Sequence, residues 1–138
     1  MPRGVPSATK PGDALARLRR HRYGSLAAVL ASEPSLLVKP MFGCLACYVH
    51  GRLMLVLADR RPPWRGVLVP TRREHHAALR AELRALAVHP VLAKWLHVRE
   101  SAADFESVVG RLVVLAASDD PRLGVEPTVR TRRGSRAS

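Results

Sequence analysis

The apolar residues of this chain keep to the spacing of a helix at both ends and to the spacing of strands in the middle. From Asp13, the residues Leu15, Leu18, Leu26, Val29 and Leu30 recur at three- and four-residue intervals, with Arg17, Arg19, Arg20 and Arg22 off that stripe. That is the period of an amphipathic helix. It has to stop near Glu33, because Pro34 disfavours the helical conformation in the residue before it. Tyr23-Gly24-Ser25 offers a break within it, since Gly costs about 1 kcal/mol in a helix interior and Ser is a good N-cap. Residues 36–39 are β-like and lead into two runs, 44–50 and 52–58, hinged at Gly51. His50-Gly51 fits a two-residue hairpin turn in which Gly supplies the positive φ.

Neither run alternates with polar residues. Leu45, Cys47 and Val49 fall on one face and Cys44, Ala46 and Tyr48 on the other; Leu53, Leu55 and Leu57 oppose Met54, Val56 and Ala58. A sheet with one wet face shows polar residues there. Two apolar faces both need a cover, from the chain's own helices or from a second subunit, and the expectation is a homodimer formed through the sheet. Residues 66–69 read as the next strand. Thr71 and Glu74 match a capping box, in which hydroxyl and carboxylate each satisfy a backbone N–H at a helix start. Leu79, Leu83 and Leu86 give that helix its apolar stripe, and Pro90 forbids its continuation. A strand over 91–98 follows. Ser101 with Asp104 repeats the helix-start pattern, ahead of Phe105, Val108, Val109, Leu112 and Ala116 on one helical face.

The order of elements contains no βαβ alternation. It predicts an α+β fold: a two-layer sandwich in which an antiparallel sheet of about five strands packs with three helices. The domain spans residues 13–120. Residues 1–12 form a basic, Pro- and Gly-containing arm and residues 121–138 an Arg-rich tail, both of disordered composition. At 138 residues the chain suits one domain with its own core. No apolar run reaches the roughly 18 residues of a membrane span, and prolines stand where a secretory signal would have its apolar core. The expected compartment is the cytoplasm, where Cys44 and Cys47 stay reduced.

The formal net charge is +12, and two thirds of it comes from residues 1–35 and 121–138. Arg17, Arg19, Arg20 and Arg22 near one end, with Arg130, Arg132, Arg133 and Arg136 near the other, could bind phosphate backbones by counterion release. Arg outnumbers Lys twenty to three, a bias that composition alone can also produce.

Lys39-Pro40-Met41-Phe42-Gly43, an apolar strand, a turn reading Gly51-Arg52-Leu53-Met54 and a second apolar strand together resemble the N-terminal domain of the TfoX competence-regulator family. Met41, Phe42, Gly43 and the Gly51 hairpin carry the resemblance, which extends from Leu15 to about Leu115. Cys44 stands where a second Gly is usual in that family. The resemblance implies a two-layer α+β fold of the secretion-chaperone-like kind, shared with YjbR-like proteins. It also implies a non-catalytic regulatory or adaptor role through protein contacts, with no catalytic residues and no cofactor to carry over. In physical terms, Gly43 suits a bulge or a close approach of another segment, with Met41 and Phe42 anchored in the core.

Other residues invite chemistry less strongly. Cys44-x-x-Cys47 has redox or metal spacing, but an offset of three in a strand sends the side chains to opposite faces. His75 and His76, with Arg72 and Arg73 at a helix start, form a candidate anion or partner site. His89, Lys94, Trp95 and His97 could offer a stacking surface, although Trp95 reads foremost as core. No Walker loop and no G-x-S-x-G is present. Two functions follow as expectations: a regulatory or adaptor domain, or a basic nucleic-acid-associated protein using its Arg-rich arms.

Overall fold

The computed structural model describes residues 11–127. Its centre is a six-stranded antiparallel sheet in the order β1-β2-β3-β4-β6-β5. The strands are β1 (Leu37–Met41), β2 (Cys44–Val49), β3 (Arg52–Asp59), β4 (Arg65–Val69), β5 (Ala87–Val88) and β6 (Leu96–Arg99). Three α-helices accompany it among the described residues: α1 (Pro11–Arg20), α2 (His76–Glu82) and α3 (Phe105–Ala117). Short 3-10 turns lie at Ala28–Ser32 and Arg73–His75. The α+β sandwich expected from the sequence is therefore the fold, with one more strand than expected.

The first three strands form a meander closed by two turns of the same kind. Phe42-Gly43 has φ of 54° and 75°, and His50-Gly51 has 55° and 81°. Two successive positive φ values define the hairpin turn whose twist matches that of the strands it joins. Met41-Phe42-Gly43 is thus a strand end and a turn. It is not a bulge, and Phe42 is not in the core: the residue is 56% exposed. Both edges of the sheet are blunted. On β1, alternate residues counted from the Met41–Cys44 closing pair face β2, so Pro40 turns its missing donor outward. On the other side β5 is only two residues long.

The helical layer covers one face. Leu18, Leu30, Leu79, Phe105, Val108, Val109 and Leu112 pack there against Cys47, Val49, Leu55, Leu57, Val67, Leu96 and Val98. Each fully buried leucine contributes about 1.5–3 kcal/mol. The α3 stripe read from the sequence is buried throughout, and the chain leaves α1 for irregular turns before Tyr23-Gly24-Ser25.

The opposite face is also apolar and is covered by the chain's own loops. Cys44, Ala46, Leu53, Val56, Ala58 and Leu68 lie beneath Trp64, Leu92, Trp95 and Val125. The premise for a homodimer, an uncovered second face, is met from within the chain. One expected face assignment changes. Cys47 pairs with Leu55 and Tyr48 with Leu53, so Met54 is an extra residue bulged out of the ladder. Leu53 consequently joins Val56 and Ala58 on the loop-covered face, while Met54 joins Leu55 and Leu57 on the helical face.

Three boundaries move. α2 stops at Glu82, because the following residues pair with β6 as β5. The expected strand over 91–98 shortens to β6, since residues 91–95 form a covering loop. Residues 121–127, expected in the tail, stay with the domain: Leu123 is fully buried and Val125 exchanges backbone hydrogen bonds with Leu53 at 3.0 and 3.1 Å.

The capping box is absent. Neither Arg72, which precedes the 3-10 turn, nor His75, which precedes α2, makes a side-chain cap hydrogen bond. Thr71 is buried and instead donates its hydroxyl to the Arg122 carbonyl at 2.6 Å, tying down residues 121–127. The two arrangements separate in urea unfolding. Glu74→Ala is expected to change stability by less than about 0.5 kcal/mol, as a surface substitution does. Thr71→Val, which leaves a carbonyl without its donor, is expected to cost about 1–3 kcal/mol.

Candidate functional site

Because β1, β2, β3 and β4 run up and down in turn, the β1–β2 turn and the β3–β4 turn sit at the same end of the sheet. That end collects most of what is chemically unusual in the molecule. Phe42 packs on Trp64 with ring centroids 5.6 Å apart; Trp64 packs on His89 at 4.7 Å, and His89 on His97 at 4.8 Å. The row runs from an exposed ring at the tip to two buried imidazoles.

His89 holds this row in place. Its Nε2 lies 3.0 Å from the Pro63 carbonyl, and its Nδ1 accepts from the backbone N–H of Val91 and Leu92 at 3.1 and 3.0 Å. The acceptor role at Nδ1 puts the proton on Nε2, so the ring is neutral. One side chain thereby fixes the β3–β4 turn that carries Trp64 and the loop that carries Leu92 and Trp95. Burial lowers its pKa, against the hydrogen bond to Pro63. His97 is pushed down to about 4 by burial first, then by His89 and Arg99.

Arginines surround the tip. Arg60 and Arg61 lie in the β3–β4 turn, Arg65 starts β4 and Arg99 ends β6. An added Cβ on Gly43 would meet the side chain of Arg60, which places that guanidinium beside the Phe42 turn. The end of α1 reaches the same region, since His21 Nε2 lies 3.7 Å from Asp59 and Arg22 bonds Glu100. Glu100 also accepts from Tyr23 OH at 2.9 Å and from Arg65 at 2.8 Å. Arg22 foremost, with Tyr23 and Arg65, holds the Glu100 carboxyl down at about 2. This cluster ties the segment after α1 to β4 and the end of β6, with one carboxylate shared by two arginines. Arg19, Arg20, Arg60, Arg61 and Arg99 form no ion pair with a described residue.

The far end of the sheet differs. There Arg52 bonds Asp119 at 2.7 Å, and Arg122 bonds Asp120 at 2.9 Å and Glu82 at 3.0 Å. Arg111 also bonds Glu82, at 3.1 Å. The expected anion site lies in this region and does not assemble as expected. His75 is 3.7 Å from Glu74, and His76 turns its Nε2 to the Lys94 carbonyl at 2.8 Å. Arg72, Glu74, His75 and Glu126 line a small cavity of about 160 Å³, in which Arg72 forms no ion pair with a described residue.

The remaining sequence candidates divide as follows. Arg17, Arg19 and Arg20 lie in the last turn of α1 and Arg22 just beyond it, whereas Arg130, Arg132, Arg133 and Arg136 lie outside the described residues. Cys44 and Cys47 are buried in different clusters on opposite faces, as the strand offset requires. Burial pushes the Cys47 thiol up to about 12 and raises that of Cys44, so neither holds a thiolate at neutral pH. No three His, Cys, Asp or Glu side chains among the described residues gather as a metal site requires. Trp95 is half-buried over the loop-covered face, and it is Trp64 that joins His89 and His97. Sequence reasoning missed this partnership, because Phe42 and Trp64 meet only through the order of the strands.

Two outcomes follow from these environments. In the native protein both cysteines should resist iodoacetamide and react only on unfolding. His97 binds its proton more weakly folded than unfolded, so stability should fall as pH drops from about 6.5 to about 4. His97→Gln should flatten that stretch of a plot of thermal midpoint against pH. No family model matches the chain, and no curated protein and no solved structure matches it either.

Proposed function

We propose that this domain is a non-catalytic binding module that takes the phosphate backbone of a nucleic acid at the arginine-bearing end of its sheet. The observation that supports the reading most is the gathering of arginines without ion-pair partners beside an exposed aromatic residue. Arg60, Arg61 and Arg99 stand without an ion-pair partner among the described residues, and Arg60 lies beside the exposed Phe42. At the far end Arg52, Arg111 and Arg122 are matched by carboxylates, and Arg72 and Arg73, without an ion pair there, have no exposed aromatic residue beside them in sequence. Guanidinium groups left in water beside one another repel, and a polyanion relieves that repulsion while releasing its counterions. The reading moves the expected contact surface from the two arms to the folded end, with Arg19 and Arg20 of α1 alongside. The arms then add charge without setting the site.

An adaptor role through protein contacts, as the TfoX-like wording implies, is the second reading. What favours it is a groove of about 480 Å³ across the loop-covered face, lined by Met41, Tyr48, Leu53, Trp95 and Val125 and ending at Phe42.

Titrating labelled oligonucleotide at several salt concentrations tests the first reading. Binding should weaken linearly on a log–log plot. Arg60→Gln with Arg61→Gln should lower the affinity and reduce the slope by about 1.4 for a single strand, the value for two lost phosphate contacts. Removal of residues 1–10 and 128–138 should leave binding in place. Absence of binding at low salt, or binding lost with the tails and untouched by the double substitution, would count against it.

A further inference from the structure

We infer that Phe42 is a stacking surface for an unpaired base, so that the nucleic acid taken at this end is single-stranded. The inference rests on the phosphate-binding reading and deepens it.

Phe42 is an odd residue for its position. It occupies the first central place of a hairpin turn, at φ 54°, where Gly, Asn and Asp are at ease and a bulky side chain is not. Phe42 is nevertheless 56% exposed, while the other described Phe, Tyr and Trp residues are buried or half-buried. Neither turn geometry nor core packing accounts for a phenyl group there. Backbone strain combined with an exposed aromatic ring is a pairing that contact with a ligand explains.

The surroundings suit a base. Trp64 backs the ring at 5.6 Å and is itself held against buried His89 at 4.7 Å, so Phe42 stands on a fixed support and loses little freedom on binding. Arg60 lies beside the same turn, through its approach to Gly43, and Arg61 adjoins it. An aromatic face next to guanidinium groups is the combination that holds a base and its phosphate together. A duplex hides its base faces in the stack and could offer this tip only phosphates, whereas a single strand offers both. Charge complementarity likewise favours this occupant over an apolar peptide, which would meet Arg60 and Arg61, without ion-pair partners among the described residues, unfavourably.

The test uses the full chain with oligothymidylate of about 15 nucleotides, a duplex of the same length and inorganic polyphosphate. Wild-type protein should prefer the single strand to both other probes, and binding should quench Trp64 fluorescence, with Trp95→Phe removing the other tryptophan signal. Phe42→Asn, which suits the turn, should keep the wild-type thermal midpoint and lower single-strand affinity at least about fivefold, the smallest effect of one lost stack. Duplex affinity should stay as it was, and Phe42→Tyr should restore the preference. Equal binding of single strand and duplex, polyphosphate binding as tight as the oligonucleotide, or a preference that survives Phe42→Asn would overturn the stacking role and leave the phosphate reading standing. Absence of binding to all three probes would overturn both.

Discussion

β3 is buried from Leu53 to Ala58 without a break, and the rest of the fold follows from having to cover it on two sides. A strand with one wet face needs one packing layer. This one needs two, and the chain supplies helices for one face and loops for the other. The helices bring long apolar stripes, as α3 does with Phe105, Val108, Val109 and Leu112. Loops have no stripe to offer, so they cover by single large residues, with Trp64, Leu92 and Trp95 lying over Ala46, Val56 and Leu68. A loop that must lie flat on an apolar face needs its own polar groups satisfied. His89 meets that need by accepting two backbone N–H groups of one loop and reaching the carbonyl of another.

This division of labour also explains where function can reside. The helical face is filled, the central strands are enclosed and both thiols are buried. Exposed chemistry is left to the ends of the sheet, where turns must be polar. At one end Asp119, Asp120 and Glu82 draw in Arg52, Arg111 and Arg122 and make a mixed surface, beside Arg72 and Arg73. At the other, Glu100 gathers Arg22 and Arg65 and Asp59 lies near His21, and Arg60, Arg61 and Arg99 form no ion pair with a described residue.

Much of the architecture was legible in the residues. Positions at helical spacing marked the stripe of α3, and Gly51 marked a hairpin whose runs were apolar on both sides; the helix expected to run to Glu33 ends at Arg20, and only a 3-10 turn precedes Pro34. The bulge at Met54 was not legible, because Arg52 to Ala58 reads as unbroken alternation and only the pairing with Cys47 and Tyr48 shows that one residue is extra. Thr71 and Glu74 carried the spacing of a capping box, but a hydroxyl satisfies whichever carbonyl or N–H lies nearest, and the Arg122 carbonyl was brought closer by the chain end. Phe42 read as a core anchor because of its type; its turn conformation put it in solvent.

What the sequence determined by itself, then, is the class of fold, the positions of most strands and helices, and the fact that a central hairpin must be covered twice. Those depend on spacing and residue type, which are local. Only the tertiary structure decided that loops of the same chain provide the second cover, and that Phe42, Trp64 and Arg60 meet at one end while His75 lies near Glu74. Strand order and register set those meetings, because residues some twenty positions apart become neighbours only when antiparallel turns stack at the same edge of a sheet.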